Sequence, residues 1–224
     1  MDGALKNELG AVTLEDKGTT KAPGAIGEGR SFTRGKGIDC GKKITSYPYS
    51  GNSFTSEAWF RAEPEAAGSK ILYWGRYAKR YNGKTGDANE VGIGIASPPV
   101  LGWASDGPGG TRVEDPYVLG PWTHVAATCE NGTSRIYVNG KLSGSRSRSS
   151  KRATMSIVQN ICMDIGGWRG RNYAFVGDID EVRVSSVARS ADWMKLQYEN
   201  QNGQQTRVGP LVQKGTTFAV SQKR

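Results

Sequence analysis

Three carboxylates fall within four positions of the stretch FVGDIDEVRV, at Asp178, Asp180 and Glu181. Carboxylates this close can serve as an acid/base pair, as metal ligands, or as the polar end of a strand that caps main-chain amides. Retaining glycoside chemistry needs an acid and a nucleophile about 5–5.5 Å apart, with separately tuned pKa values. On one strand Asp178 and Asp180 would point the same way, roughly 6–7 Å apart. The apolar residues around them change parity, because Phe175 and Ile179 are odd whereas Val182 and Val184 are even. A strand that keeps one face buried throughout does not do this, so a bulge is expected near Asp180 and Glu181.

Other residues with chemical potential are few. His124 is the only histidine, so a Ser-His or Cys-His mechanism would have to use it, and a zinc site would lack a second. Packing or a backbone contact is the plainer role. Cys40, Cys129 and Cys162 show no zinc-knuckle spacing and permit at most one internal disulfide. They read as reduced packing residues. AKRYNGKT (78–85) ends like a phosphate-binding loop, but Ala78 stands where glycine is required. Asn131-Gly132-Thr133 matches a glycosylation sequon and is equally a good hairpin turn.

Aromatic and basic residues interleave in two stretches. One contains Trp74, Arg76, Tyr77, Arg80 and Tyr81, with Trp103 farther on; the other contains Trp168, Arg169 and Arg171 beside Tyr173. Sugar rings stack their C–H faces on aromatic planes, and arginine binds a carboxylate with two parallel hydrogen bonds. This combination suits a glycan, and uronic or sulfated sugars in particular. An ordinary solvated surface is the alternative. Arg146, Arg148, Lys151 and Arg152 form a second basic group within SGSRSRSSKR (143–152), a serine-dense stretch expected to be a solvated connection.

The elements that would position these residues are mostly strands. In SFTSEAWFRAEP (53–64), Phe54, Ala58, Phe60 and Ala62 form one face and Glu57, Trp59 and Arg61 the other. THVAATCENGTSRIYVNGKLSG (123–144) reads as two successive hairpins, with Asn131-Gly132 and Asn139-Gly140 at the turns. EVGIGIAS (90–97) and ICMDIGGW (161–168) are further short apolar runs. The one convincing helix follows Ser190, a plausible N-cap for ADWMKLQYENQ. Pro98-Pro99 and SDGPGG (105–110) mark loops. With 31 glycines in 224 residues, about twice the usual share, short strands and many turns are expected. An all-β sandwich ending in one helix follows.

The formal charge of +9 favours polyanionic partners. Nucleic acid fits that charge but no nucleic-acid motif is present. No stretch approaches the length of a membrane span. The opening MDGALKNELG is polar and does not read as a secretory leader.

GAIGEGRSFTRGKGIDCGK, NSFTSEAWFRAE, GPWTHVAATCENGTSRIYVNGKLSG and FVGDIDEVRVSSVARSADWMKLQYENQ occur in that order. Together they resemble laminin-G-like domains of the concanavalin A-like lectin/glucanase superfamily, in the variety common in bacterial secreted and surface proteins. The resemblance implies a jelly-roll sandwich of two antiparallel sheets over residues 1–201, with 202–224 a linker or an extra C-terminal strand. Trp59, Trp122 and Trp193 stand at motif positions and are expected in the core. Such domains open with a strand ahead of the segment like DGALKN, and GTTFAVSQKR (215–224) is a candidate to fill its edge.

Glucanases of this superfamily carry Glu, Asp and Glu at alternate positions of one strand. Here Val182 takes the fifth slot, so the triplet fails and no catalytic residue is assigned. Lyases of the superfamily use Arg, Gln, His and Tyr on neighbouring strands, and no matching motif appears. The resemblance places a structural Ca2+ near Asp180, an ion that takes six to eight oxygen ligands. The alternative is that Asp180 caps amides at the bulge while Glu181 pairs with Arg183 or Arg189. The expected function is a non-catalytic, lectin-like carbohydrate-binding module of a larger secreted or surface protein, with an acidic polysaccharide as one candidate ligand. A lyase or hydrolase on the same fold, and an adhesion domain contacting protein, remain open.

Overall fold

In the computed structural model the described residues are 14–44, 53–76, 90–96, 100–105, 112–116, 119–131, 133–147, 161–167, 174–202, 207–208 and 220–221. The strands are β1 (Glu15–Asp16), β2 (Thr20–Pro23), β3 (Glu28–Phe32), β4 (Ile38–Ile44) and β5 (Ser53–Ala62), followed by β6 (Lys70–Arg76), β7 (Glu90–Ala96) and β8 (Val100–Ser105). Then come β9 (Arg112–Pro116), β10 (Thr123–Glu130), β11 (Thr133–Val138), β12 (Lys141–Ser147), β13 (Ile161–Ile165) and β14 (Gly177–Ser185). A helix, α1 (Ala191–Gln201), and two short strands, β15 (Arg207–Val208) and β16 (Val220–Ser221), complete the chain.

The strands form two seven-stranded antiparallel sheets, the jelly-roll sandwich that the motifs imply. One has the order β1-β4-β13-β6-β7-β8-β9, the other β12-β11-β10-β5-β14-β3-β2. The second is called the helix-bearing sheet below, because α1 lies on its outer face. Alternation in β5 sets its two sides as expected. Phe54, Ala58, Phe60 and Ala62 enter the core between the sheets, where Val125, Ala127, Cys129, Ile136 and Ile179 join them. Leu72, Ile93, Met163 and Ile165 meet them from the opposite sheet. Cys40 and Cys129 are free and buried, consistent with a packing role.

The two hairpins of 123–147 turn at Asn131 (φ 47°) and Asn139 (φ 49°), the left-handed positions that asparagine tolerates. One expectation here is corrected. Residues 143–147 belong to edge strand β12, not to a connection, so Arg146 is a strand residue paired with Ser134. A strand with water on its outer side and at its free edge needs no apolar pattern, and its basic residues discourage edge pairing. Of segment 215–224, the described residues Val220 and Ser221 pair with Arg207–Val208 in a separate two-stranded sheet.

α1 forms where its cap lies. The Ser190 side chain accepts a hydrogen bond from the Trp193 amide at 3.2 Å. Met194 is its single fully buried anchor, packing on Ala126 and Tyr137 of the sheet beneath. Among the described residues no helix is long and apolar enough to cross a membrane.

Candidate functional site

The bulge expected in β14 is present. Asp180 pairs with Trp59 and Arg183 with Glu57, so Glu181 and Val182 together stand opposite Ala58. Glu181 takes φ 48°, a left-handed conformation uncommon for a non-glycine residue. This insertion lets Ile179 before it and Val182 and Val184 after it all pack on the core.

Each carboxylate of the stretch then has a different task. Asp178 holds Arg61, whose Nε and Nη2 donate to Oδ2 at 2.9 and 2.6 Å. Asp180 is 1% exposed. Its Oδ2 accepts from the Ile26 amide at 3.0 Å and its Oδ1 from the Glu181 amide at 2.8 Å. Burial pushes the Asp180 carboxyl above its ordinary value, and those amides oppose the shift. Gly24 is required beside it, because a Cβ there would lie 2.4 Å from Oδ2 of Asp180. Glu181 pairs with Arg183. Asp180 thus ties the β2–β3 turn to the bulge, as the capping alternative holds. Among the described residues no three His, Cys, Asp or Glu side chains converge as a metal site. Asp180 is the one residue that the resemblance matches to the Ca2+ it implies, an ion that also takes main-chain and amide oxygens.

Three adjacent strands, β10, β5 and β14, bring further polar residues to the outer face of the helix-bearing sheet. His124 is 1% exposed and Glu57 3% exposed, with His124 Nε2 3.5 Å from Glu57 Oε2 and Arg183 Nη1 3.8 Å from Glu57 Oε1. α1 closes over them. Tyr198 stacks on Trp59 with ring centroids 5.6 Å apart, and His124 sits 5.3 Å from Trp59. Trp59 Nε1 donates to Gln201 Oε1 at 2.6 Å. A histidine beside a glutamate and a tyrosine is the set that acid/base chemistry uses; here His124 and Glu57 are buried and Tyr198 is half-buried.

Beyond the end of α1 the same face keeps partly exposed side chains among the described residues. The next row across the strands consists of Arg61, Asp178, Ser31 and Thr20, with Trp122, just ahead of β10, beside Arg61. The Arg61 guanidinium lies over the Trp122 ring, 5.3 Å from its centroid. The Arg61 side chain is 37% exposed and that of Asp178 11%. Trp122, expected in the core, is instead half-buried on this outer face.

Of the ligand-binding candidates read from sequence, Trp74 and Arg76 lie in β6 and Trp103 in β8. Register sets Trp74 across from Met163 and Trp103 across from Ile93. Tyr77, Arg80, Tyr81, Trp168, Arg169 and Arg171 lie outside the described residues. The opposite sheet also aligns Asp164 with Asp39 and with Tyr73, a cross-strand grouping that no local motif announced. Asp39 Oδ1 accepts from the Gly41 amide at 2.8 Å.

A family profile, Laminin_G_3, described as Concanavalin A-like lectin/glucanases superfamily, matches residues 38–195. The chain belongs to that superfamily. Its fold is similar to that of domain 4 of AbnA, an extracellular GH43 arabinanase from Geobacillus stearothermophilus, solved with arabinotriose. The TM-score is 0.59 at 20% identity, over 82% of this chain and 86% of that one. It also matches Trypanosoma rangeli sialidase in complex with sialic acid at TM-score 0.63 and 14% identity, covering 86% of this chain but 30% of the sialidase. The binding domain of Paraclostridial Mosquitocidal Protein 1 is similar at TM-score 0.58 and 14% identity, over 87% of this chain and 49% of that one. These likenesses establish the fold. The sequence has no significant match among curated proteins.

Proposed function

We propose that this superfamily member is a non-catalytic carbohydrate-binding module of a larger secreted or surface protein. The commitment of its acid/base groups carries the reading. Asp178 is held by Arg61, Asp180 by two amides and Glu181 by Arg183, while His124 and Glu57 are sealed beneath α1. A glycosidase needs two carboxyl groups facing one bond with separated pKa values, and this stretch offers no such pair. The likeness to an arabinanase domain solved with arabinotriose supports a glycan as the ligand class, as does the mixture of aromatic and basic residues at 74–81 and 168–171. The +9 charge adds acidic polysaccharides to the candidates.

The test is affinity electrophoresis through gels containing neutral, uronic or sulfated polysaccharides, with Ca2+ or chelator, at raised salt to suppress nonspecific charge attraction. Retardation by one polymer class that survives salt is expected. Loss of that retardation in chelator would support a Ca2+ requirement and make Asp180 the residue to mutate, and migration unchanged in every gel would overturn the module reading.

A further inference from the structure

We propose that the row Trp122–Arg61–Asp178 is a sugar-binding subsite for neutral oligosaccharides, on the outer face of the helix-bearing sheet beyond the end of α1. The inference rests on the carbohydrate-module reading and assigns it a place and a ligand class.

The row is fixed before any ligand arrives. Arg61 is held from one side by Asp178 through two hydrogen bonds to a single oxygen, and from the other by the Trp122 ring. Both bonds use Oδ2, and the Asp178 side chain makes no further hydrogen bond or ion pair among the described residues, so Oδ1 keeps its capacity to accept. Arg61 keeps N–H donors that these two bonds do not use. An open donor and an open acceptor side by side match a pair of adjacent sugar hydroxyls, each of which donates and accepts. Trp122 supplies an aromatic surface at the same place.

The charge balance selects the ligand class. Arg61 and Asp178 cancel, so a uronic carboxylate would meet a cation already neutralised and an anion beside it. Neutral hydroxyls suffer no such repulsion. Ser31 and Thr20 continue the row on β3 and β2 with two more hydroxyls. From β10 to β2 is four strand spacings, about 19 Å at ~4.8 Å each. That length takes several sugar units laid across the strands. One row over, Trp59 and His124 offer similar groups but lie under Tyr198, which makes the end of α1 the boundary of the subsite.

The decisive experiment is affinity electrophoresis of the whole chain in soluble arabinan, xylan, mixed-linkage β-glucan and polygalacturonate, comparing wild type with Trp122→Ala, Trp122→Tyr, Arg61→Gln and, as a control on the exposed side of α1, Lys195→Ala. Wild type and Lys195→Ala are expected to be retarded by a neutral polymer, with apparent Kd raised about tenfold in Trp122→Ala and Arg61→Gln. Trp122→Tyr should recover much of the loss, and thermal unfolding should show all variants folded. If Trp122→Ala unfolds, Arg61→Gln and Trp122→Tyr decide. Retardation of wild type by neutral polymers that both substitutions leave unchanged overturns the subsite alone, as does binding restricted to polygalacturonate. No retardation of wild type in any gel overturns the module reading together with the subsite.

Discussion

The outer face of the helix-bearing sheet carries two neighbouring rows of similar composition and unequal exposure. His124, Trp59 and Asp180 form one row; Trp122, Arg61 and Asp178 form the next. Each has an aromatic ring, a nitrogen-bearing side chain and an aspartate. In the first, α1 places Tyr198 and Gln201 on Trp59, and His124 and Asp180 are each 1% exposed. In the second, Arg61 keeps more than a third of its side-chain surface. The difference teaches that residue type does not decide which polar cluster is available to a ligand; the position of one helix end does. Polar groups under the helix contribute to a fixed structure, whereas in the proposed subsite those past it exchange water for sugar.

The largest expected effect comes from loosening the cover. Met194 is fully buried between α1 and the sheet, against Ala126 and Tyr137. Met194→Ala should destabilise the fold by about 2–5 kcal/mol, read by urea unfolding. Under conditions where the variant is folded, its retardation by neutral polysaccharide should match wild type. If binding falls as well, the two rows are coupled through α1 and the contrast between them fails.

A smaller effect is expected at the helix start. Ser190→Ala removes the acceptor for the Trp193 amide and should cost about 1 kcal/mol. The measurement is the unfolding midpoint of Ser190→Ala against Ser190→Asp, which restores a capping oxygen. A full loss that Asp does not repair would show that tertiary packing, not the cap, fixes where α1 begins.

How much of this was legible in the sequence follows from the range of each signal. Alternation in 53–62 separated the core residues of β5 from Glu57, Trp59 and Arg61. The two Asn-Gly pairs located both hairpins, the parity change located the bulge at Glu181, and Ser190 located the helix. All of these signals are local. Arg61 is read on the face of its strand opposite the apolar residues, but its pairing with Asp178 depends on register between strands more than a hundred residues apart, and periodicity carries no such information. Asp39 and Asp164 went unremarked for the same reason. The end of β12, residues 145–147, was missed because an exposed, serine-rich edge strand has the composition of a loop. The opening carboxylates look alike in one dimension, and only their neighbours from β2, β3 and β5 distinguish them.

The smallest expected effect concerns how burial sets the charge of an aspartate, and it extends the contrast between sealed and open groups. Asp16, at the sheet edge, keeps 27% of its side-chain surface. Burial acts to raise its pKa, but the Thr19 amide and hydroxyl, Arg30 and the Gly18 amide outweigh it, so the carboxyl lies below the ordinary 3.8. Asp180 is sealed, and its burial outweighs the Ile26 and Glu181 amides, so its carboxyl lies above the ordinary value. The signs follow from linkage. A carboxyl with a lowered folded pKa stabilises fully above its unfolded value, and that contribution is lost as pH falls from about 3.8 through the folded pKa. For a raised pKa the folded state holds its proton more tightly, so stability rises as pH falls through the folded value toward 3.8. Urea midpoints of wild type and Asp16→Asn, measured at descending pH below 5, provide the check. Asp16→Asn should be less stable than wild type at neutral pH, and the gap should close in the most acidic samples. A gap that stays constant with pH would mean that the Asp16 hydrogen bonds, not its charge, hold the turn at 16–19 in place.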